Sequence, residues 1–215
     1  MRVLLLGATG RLGSQILKEL NDKGIETSVL VRNPDRVKVK SEHIRVSKGD
    51  VTNINDLGIA MEECDVIISA LNISRKSDFP WSKLRTPETL MSDVMKILVN
   101  IAGENNIQKI VTVSAWGAND SEKDLPAWFR WVINNSNVKY GYQDHERQEN
   151  ILMSSKIDWT IVRPVGLSNS QSSKKANIST ESVTSGIMVG RRSVAMFIVE
   201  NITNDEFNNK VVTIS

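Results

Sequence analysis

The chain opens on Val3-Leu4-Leu5-Leu6, a continuous apolar run of the kind a strand shows when both its faces are covered. Gly7 to Gly13 predicts a turn. Leu12, Ile16, Leu17 and Leu20 then recur at helical spacing until Gly24 supplies a stop. Further strands are predicted over Thr27–Val31, Ile44–Val46, Asp65–Ala70 and Lys109–Ser114. Among them lie a helix over Ile54–Met61 and a long one running from about Pro87, which suits a first helical turn, to Asn105. Residues 125–155 read as two helical stretches broken near Asn134 to Tyr140. Trp159–Arg163 predicts a sixth strand stopped by Pro164, Arg191–Ile202 an amphipathic helix, and Val211–Ile214 a closing strand. Strands alternating with helices imply an α/β architecture: a doubly wound, mainly parallel sheet with helices on both faces, because parallel neighbours need a crossover over the sheet. No repeat or linker breaks the pattern, so residues 1–215 are expected to form one domain. The Ser-rich stretch 168–173 looks least ordered and falls in a region, about 164–190, expected to carry substrate loops.

Gly7-Ala8-Thr9-Gly10-Arg11-Leu12-Gly13 sits between the first strand and the first helix. Glycine is needed there for separate reasons: Gly7 for the tight turn, Gly10 for backbone approach to a pyrophosphate, and Gly13 for close packing of helix on sheet. The anion would meet free N–H groups and the positive end of the helix dipole. In that context the motif predicts a Rossmann-type dinucleotide site; a purely structural turn is the simpler alternative. Where an NAD-preferring protein usually carries a carboxylate, the second strand ends Val31-Arg32-Asn33-Pro34-Asp35-Arg36. Arg32 and Arg36 suit a 2′-phosphate, so the expected cofactor is NADP(H) rather than NAD(H). Asp35 stands against this unless Pro34 turns it outward. Asp50, in Gly49-Asp50-Val51, is placed to reach an adenine amino group or else to cap a helix near Thr52 and Asn53.

Composition narrows the remaining classes. The net charge of +2 does not argue for nucleic acid, and the basic pairs Lys174-Lys175 and Arg191-Arg192 read as solvated surface. One cysteine, Cys64, and two histidines, His43 and His145, allow no internal disulfide and no zinc signature, so no metal is expected. No signal peptide and no apolar run near the ~20 residues of a membrane span is evident, which leads to the expectation of a cytoplasmic protein without a membrane partner.

The Gly7–Gly13 motif, the Leu30-Val31-Arg32-Asn33 strand end and Gly49-Asp50-Val51 resemble atypical short-chain dehydrogenase/reductases of the NmrA-like group. Within that group, Val113-Ser114-Ala115-Trp116, Gln143-Asp144-His145-Glu146-Arg147 and Asp158-Trp159-Thr160-Ile161-Val162-Arg163-Pro164 resemble biliverdin-IXβ reductase/flavin reductase proteins. The likeness extends to Asn204-Asp205-Glu206-Phe207-Asn208. It implies NADPH-dependent hydride transfer to a flavin-like, bilin-like or quinone-like acceptor, a small planar redox substrate. It further implies that Thr9, Gly10, Leu12, Arg32, Arg36, Asp50, Ala70 and Leu71 line the cofactor, with Arg11 and Val51 in the same motifs. Ser114 would sit beside the nicotinamide, His145 near the substrate mouth, and Pro164 and Val165 over the nicotinamide's other side.

The main short-chain branch uses a Tyr with a Lys four residues later, but Asp144 and Glu146 follow Tyr140 and Tyr142 at that spacing. The missing dyad counts against alcohol oxidation and against an epimerase or dehydratase. A conjugated acceptor tolerates the loss, because it delocalises incoming charge and solvent can supply the proton. A non-catalytic NADP(H)-binding sensor, as some NmrA-like proteins are, is the alternative from another class. For Ser114 the choice lies between a hydroxyl that positions the nicotinamide amide or the substrate and a strand-end serine bonded to local backbone. His145 is either a site residue or a solvated helix residue. Trp116, Trp128 and Trp131 either pack in the core or wall a site for a planar substrate. The oligomeric expectation is a monomer.

Overall fold

The computed structural model describes residues 1–170 and 176–215. Half of the Ser-rich stretch, residues 171–173, and the Lys174-Lys175 pair therefore lie outside the described residues. The chain runs β1 (Arg2–Leu6), α1 (Gly13–Asp22), β2 (Glu26–Val31), β3 (Ile44–Lys48), α2 (Ile54–Met61) and β4 (Val66–Ser69). It continues through α3 (Leu90–Ala102), β5 (Lys109–Val113), α4 (Ala127–Asn134), α5 (Val138–Met153) and β6 (Asp158–Pro164). The last part holds β7 (Gly166–Ser168), β8 (Ile178–Ser179), β9 (Met188–Gly190), α6 (Arg191–Glu200) and β10 (Lys210–Ile214).

The main sheet has the order β3-β2-β1-β4-β5-β6-β10-β8 and is parallel except at the β10–β8 edge. This is the Rossmann-like α/β arrangement expected from the alternation of strands and helices. Side chains alternate across each strand, so β1 feeds two cores. Val3 and Leu5 pack on one face with Ile16, Leu17 and Leu20 of α1 and Val194 and Phe197 of α6. Leu4 and Leu6 pack on the other with Leu57 and Met61 of α2, Val94 and Leu98 of α3, and Leu152 of α5. From β1 the chain builds outward one way through β2 and β3. It then returns to build the other way through β4, β5 and β6. That reversal opens a crevice beyond the carboxyl ends of β1 and β4, the place where ligands enter such sheets.

Several boundaries differ from expectation. The long helix begins at Leu90 rather than near Pro87, because its capping groups come from another helix. Asp144 of α5 accepts from the N–H groups of Met91 and Ser92 at 2.7 and 3.4 Å and from the Ser92 hydroxyl at 2.5 Å. The same helix ends at Ala102, where the Ile107 N–H closes on the Ala102 carbonyl at 3.0 Å. Pro164 does not stop β6 but completes it. Its carbonyl accepts from Trp116 N–H at 3.0 Å, and Val165 N–H donates to Ile214, so pairing continues on both sides of a residue with no N–H of its own. Within 164–190, two short elements pair in parallel, β7 with β9, and β8 adds to β10, so the region is more ordered than loops alone.

Candidate functional site

A single cleft of about 1070 Å³ follows the crevice from the β2 end to the β6 end of the sheet. At its centre lies the glycine turn. Gly7 has a φ of +83°, and a Cβ there would stand 2.6 Å from the Ala70 carbonyl oxygen. At Gly13 a Cβ would stand 2.1 Å from the Gly7 oxygen, so α1 can start this close to the sheet only on glycine. Gly13 itself is not on the cleft wall, whereas Gly7, Thr9, Gly10, Arg11 and Leu12 are. Among the described residues no side chain caps α1; Ser14, Gln15 and Ile16 N–H bond the Gly10 and Leu12 carbonyls, while the Leu12 and Gly13 N–H groups have no backbone acceptor and can serve whatever occupies the turn. Donors, dipole and the Cβ-free approach at Gly7 and Gly10 together fit a dinucleotide pyrophosphate.

Toward β2, the wall carries Arg32, Arg36, Asp50 and Val51, with Arg36 closing a single 3₁₀ turn over Pro34–Arg36. Neither guanidinium has a side-chain hydrogen bond or ion pair among the described residues. Asp35 does not line the cleft; its N–H is held by Asn33 Oδ1 at 3.0 Å. The Asp50 carboxylate accepts from Thr52 N–H at 2.9 Å and Thr52 hydroxyl at 2.8 Å; these bonds, and Arg32 nearby, hold it below the usual carboxylate range. Asn53, not Asp50, caps α2.

Toward β5 and β6, the wall is formed by Ser114, Ala115, Trp116, Tyr142, His145, Pro164 and Val165, with Ala70 and Leu71 between this end and the turn. Ser114 is buried and its Oγ has no partner among the described residues, so it is not a strand-end serine tied to local backbone. Trp116 Nε1 is likewise buried and unpartnered. Buried polar groups are nearly always bonded, which sets these two residues of the cleft wall apart.

His145 is buried, not solvated. Gln148 fixes its state: the amide oxygen accepts from Thr112 at 3.2 Å, which directs the amide nitrogen to the Val113 carbonyl and to His145 Nδ1 at 2.8 Å. Nδ1 therefore accepts, and the ring proton sits on Nε2. Burial pushes the imidazole down to about 4, so it is neutral at ordinary pH. Tyr142 donates to the Trp116 carbonyl at 3.4 Å, and burial raises its phenol to about 12. Among the described residues no lysine lines the cleft to offset that rise.

The tryptophans divide in a way neither expectation covered. Trp116 is both core and wall, whereas Trp128 and Trp131 are 63% and 60% exposed on the outer face of α4 and do not reach the cleft. Arg191 and Arg192 are half-buried rather than solvated: Arg191 lines the cleft, and Arg192 bonds Glu19 at 3.3 Å. Sequence reasoning missed the segment after β4, which supplies Arg75, Asp78 and Arg85 to the wall. It has no motif, and only the chain's path over the cleft brings it in. Among the described residues no group of histidine, cysteine or carboxylate side chains is arranged to hold a metal, and no helix is long and apolar enough to cross a membrane.

A family model described as NAD(P)H-binding matches residues 7–205. Two similar plant proteins are the pea (Pisum sativum) protein TIC 62, chloroplastic, and probable pinoresinol-lariciresinol reductase 3 of Arabidopsis thaliana. The first is 26% identical over 90% of this chain and 38% of its own length. The second is 25% identical over 100% of this chain and 67% of its own length. This chain thus spans well under half of the pea protein. Among solved structures, the anaerobillin reductase ChuY of Escherichia coli O157:H7 superposes with a TM-score of 0.81 at 19% identity, covering 100% of this chain and 96% of that one.

Proposed function

We propose, since the chain belongs to the NAD(P)H-binding family, that it is an NADPH-dependent reductase of a small planar conjugated acceptor of the flavin, bilin or quinone kind. The observation that carries this reading is one continuous cleft with a phosphate cradle at its centre and unpartnered Ser114 Oγ and Trp116 Nε1 at its far end. NADPH, when bound, supplies the hydride. Arg32 and Arg36 hold the 2′-phosphate, the glycine turn and α1 hold the pyrophosphate, and Ser114 orients the carboxamide or the acceptor. Pro164 and Val165 cover the opposite side. The names of the Arabidopsis and E. coli relatives, both reductases, agree with it.

The wall also limits the reaction. A phenol near 12 and an imidazole near 4 leave neither Tyr142 nor His145 able to exchange a proton efficiently near neutral pH. Dehydrogenation of an alcohol, or epimerisation, needs such a base. Hydride delivery to a conjugated ring needs mainly a held geometry, which is worth up to ~7–11 kcal/mol, and water supplies the proton. The test is NADPH oxidation followed at 340 nm with FMN as acceptor. Turnover is expected; a protein that binds NADPH yet oxidises none with any flavin, bilin or quinone would instead be an NADP(H)-binding sensor.

A further inference from the structure

Six arginines and only two carboxylates, Asp50 and Asp78, line the cleft among the described residues. Arg32 and Arg36 stand at the β2 end, and the pyrophosphate has the glycine turn, so the remaining cations exceed what a dinucleotide needs. Three of them, Arg11, Arg75 and Arg191, gather around Asp78. Arg11 holds that carboxylate through both Nη atoms, at 2.9 and 2.8 Å. Arg75 and Arg191 are close enough for their charge to add to Arg11 in keeping the Asp78 carboxyl below its usual range. Neither is ion-paired among the described residues; Arg191 bonds only the neutral Asn169 amide, at 2.6 Å. Arg85, from the same loop as Arg75, has a 3.4 Å contact to the Lys76 carbonyl as its side-chain bond.

Two features make this surplus costly unless an anion answers it. Arg191 is the first residue of α6, at the positive end of the helix dipole, where a cation is unfavourable. Burial, and then the charge of Arg11, push its guanidinium below the ordinary value. Arg75 Nε is buried with no partner among the described residues. An unpaired buried donor of this kind loses hydration without recovering a bond.

We propose that Arg75, Arg85 and Arg191 form an anion clamp for the second substrate, so that the acceptor carries a phosphate or carboxylate beside its conjugated ring. The inference rests on the reductase reading above. It separates acidic flavins and bilins from neutral quinones.

FMN and riboflavin share one ring system and differ in a phosphate, which makes them the probes. Native protein is expected to reduce FMN with a kcat/KM about tenfold or more above that for riboflavin, the scale of charge-assisted bonds. In the double variant Arg75→Gln/Arg191→Gln the ratio is expected to fall toward one. Lys96→Gln, a change on the exposed side of α3 away from the cleft, should leave it unaltered. Equal use of the two flavins by native protein overturns the clamp. So does a double variant that loses NADPH affinity while keeping its FMN preference, which would assign these arginines to the cofactor. If neither flavin is reduced, the reductase reading fails for flavins. Calorimetry on NADP⁺-loaded protein still decides the clamp: tighter FMN than riboflavin supports it, and equal binding rejects it.

Discussion

His145 stands on the cleft wall as a neutral imidazole, and that state is linked to folding. Its folded pKa of about 4 lies below the ordinary 6.5, so between those values the unfolded chain binds a proton that the native protein excludes. The linkage therefore favours the native state above pH 6.5, and the contribution is lost as pH falls toward 4. Each unit in that window costs at most about 1.4 kcal/mol. His145→Gln removes the titration. Urea unfolding of both proteins from pH 7 to pH 4 should show the native protein losing stability more steeply. Parallel curves would mean that the ring takes up its proton without cost.

At the scale of elements, the far end of the cleft depends on a buried ion pair between α5 and β6. Arg163 meets Glu149 through Nε and Nη2 at 2.9 and 2.7 Å, both side chains essentially buried, and its Nη1 bonds the exposed Asp120 at 2.8 Å. Glu149 lies one helical turn past His145, and Arg163 immediately precedes Pro164 and Val165, so the pair joins two walls of the site. Arg163→Ala strands the Glu149 charge and should cost about 3–5 kcal/mol. The double change Arg163→Met/Glu149→Leu removes both charges and should cost much less in a chemical melt. A loss in the double variant as large as in the single one would make the pair a true source of stability. Asp144 plays a comparable part for α3, since its carboxylate caps a helix whose own Thr89 offers no side-chain cap bond.

For the whole molecule, the cleft is walled by residues at the ends of β1, β2, β4, β5 and β6 at once, so occupancy by a dinucleotide should appear as global stability. A ligand present at 100 times its Kd adds about 2.7 kcal/mol to unfolding. If Arg32 and Arg36 hold a 2′-phosphate, NADPH should bind about 2–3 kcal/mol more tightly than NADH, the scale of charged hydrogen bonds. At equal concentrations NADPH should then raise Tm more. Arg32→Glu should reverse that order, because a carboxylate repels the phosphate and accepts from ribose hydroxyls. Equal shifts with the native protein would leave the arginines without this role.

The α/β order, the two-sided strands and the glycine turn were legible along the chain because each rests on neighbours in sequence: apolar periodicity, a tight turn, a helix start. The same is true of Arg32, Arg36 and Asp50, which follow the ends of their own strands. Contacts between distant segments were not legible. Asp144 capping α3, Gln148 setting the His145 tautomer, and Arg163 meeting Glu149 join residues whose proximity exists only once helices lie on the sheet. Trp116 and Trp128 are the same residue type twelve positions apart. Yet one is core and cleft wall and the other faces solvent, since pattern alone does not say which face of a short helix is covered. The arginines around Asp78 arise from three separate segments, and their surplus charge is a property of the folded cleft: the chain as a whole carries only +2. Local periodicity determined the elements; burial and convergence of remote charges, which depend on tertiary packing, decided what the cleft can hold.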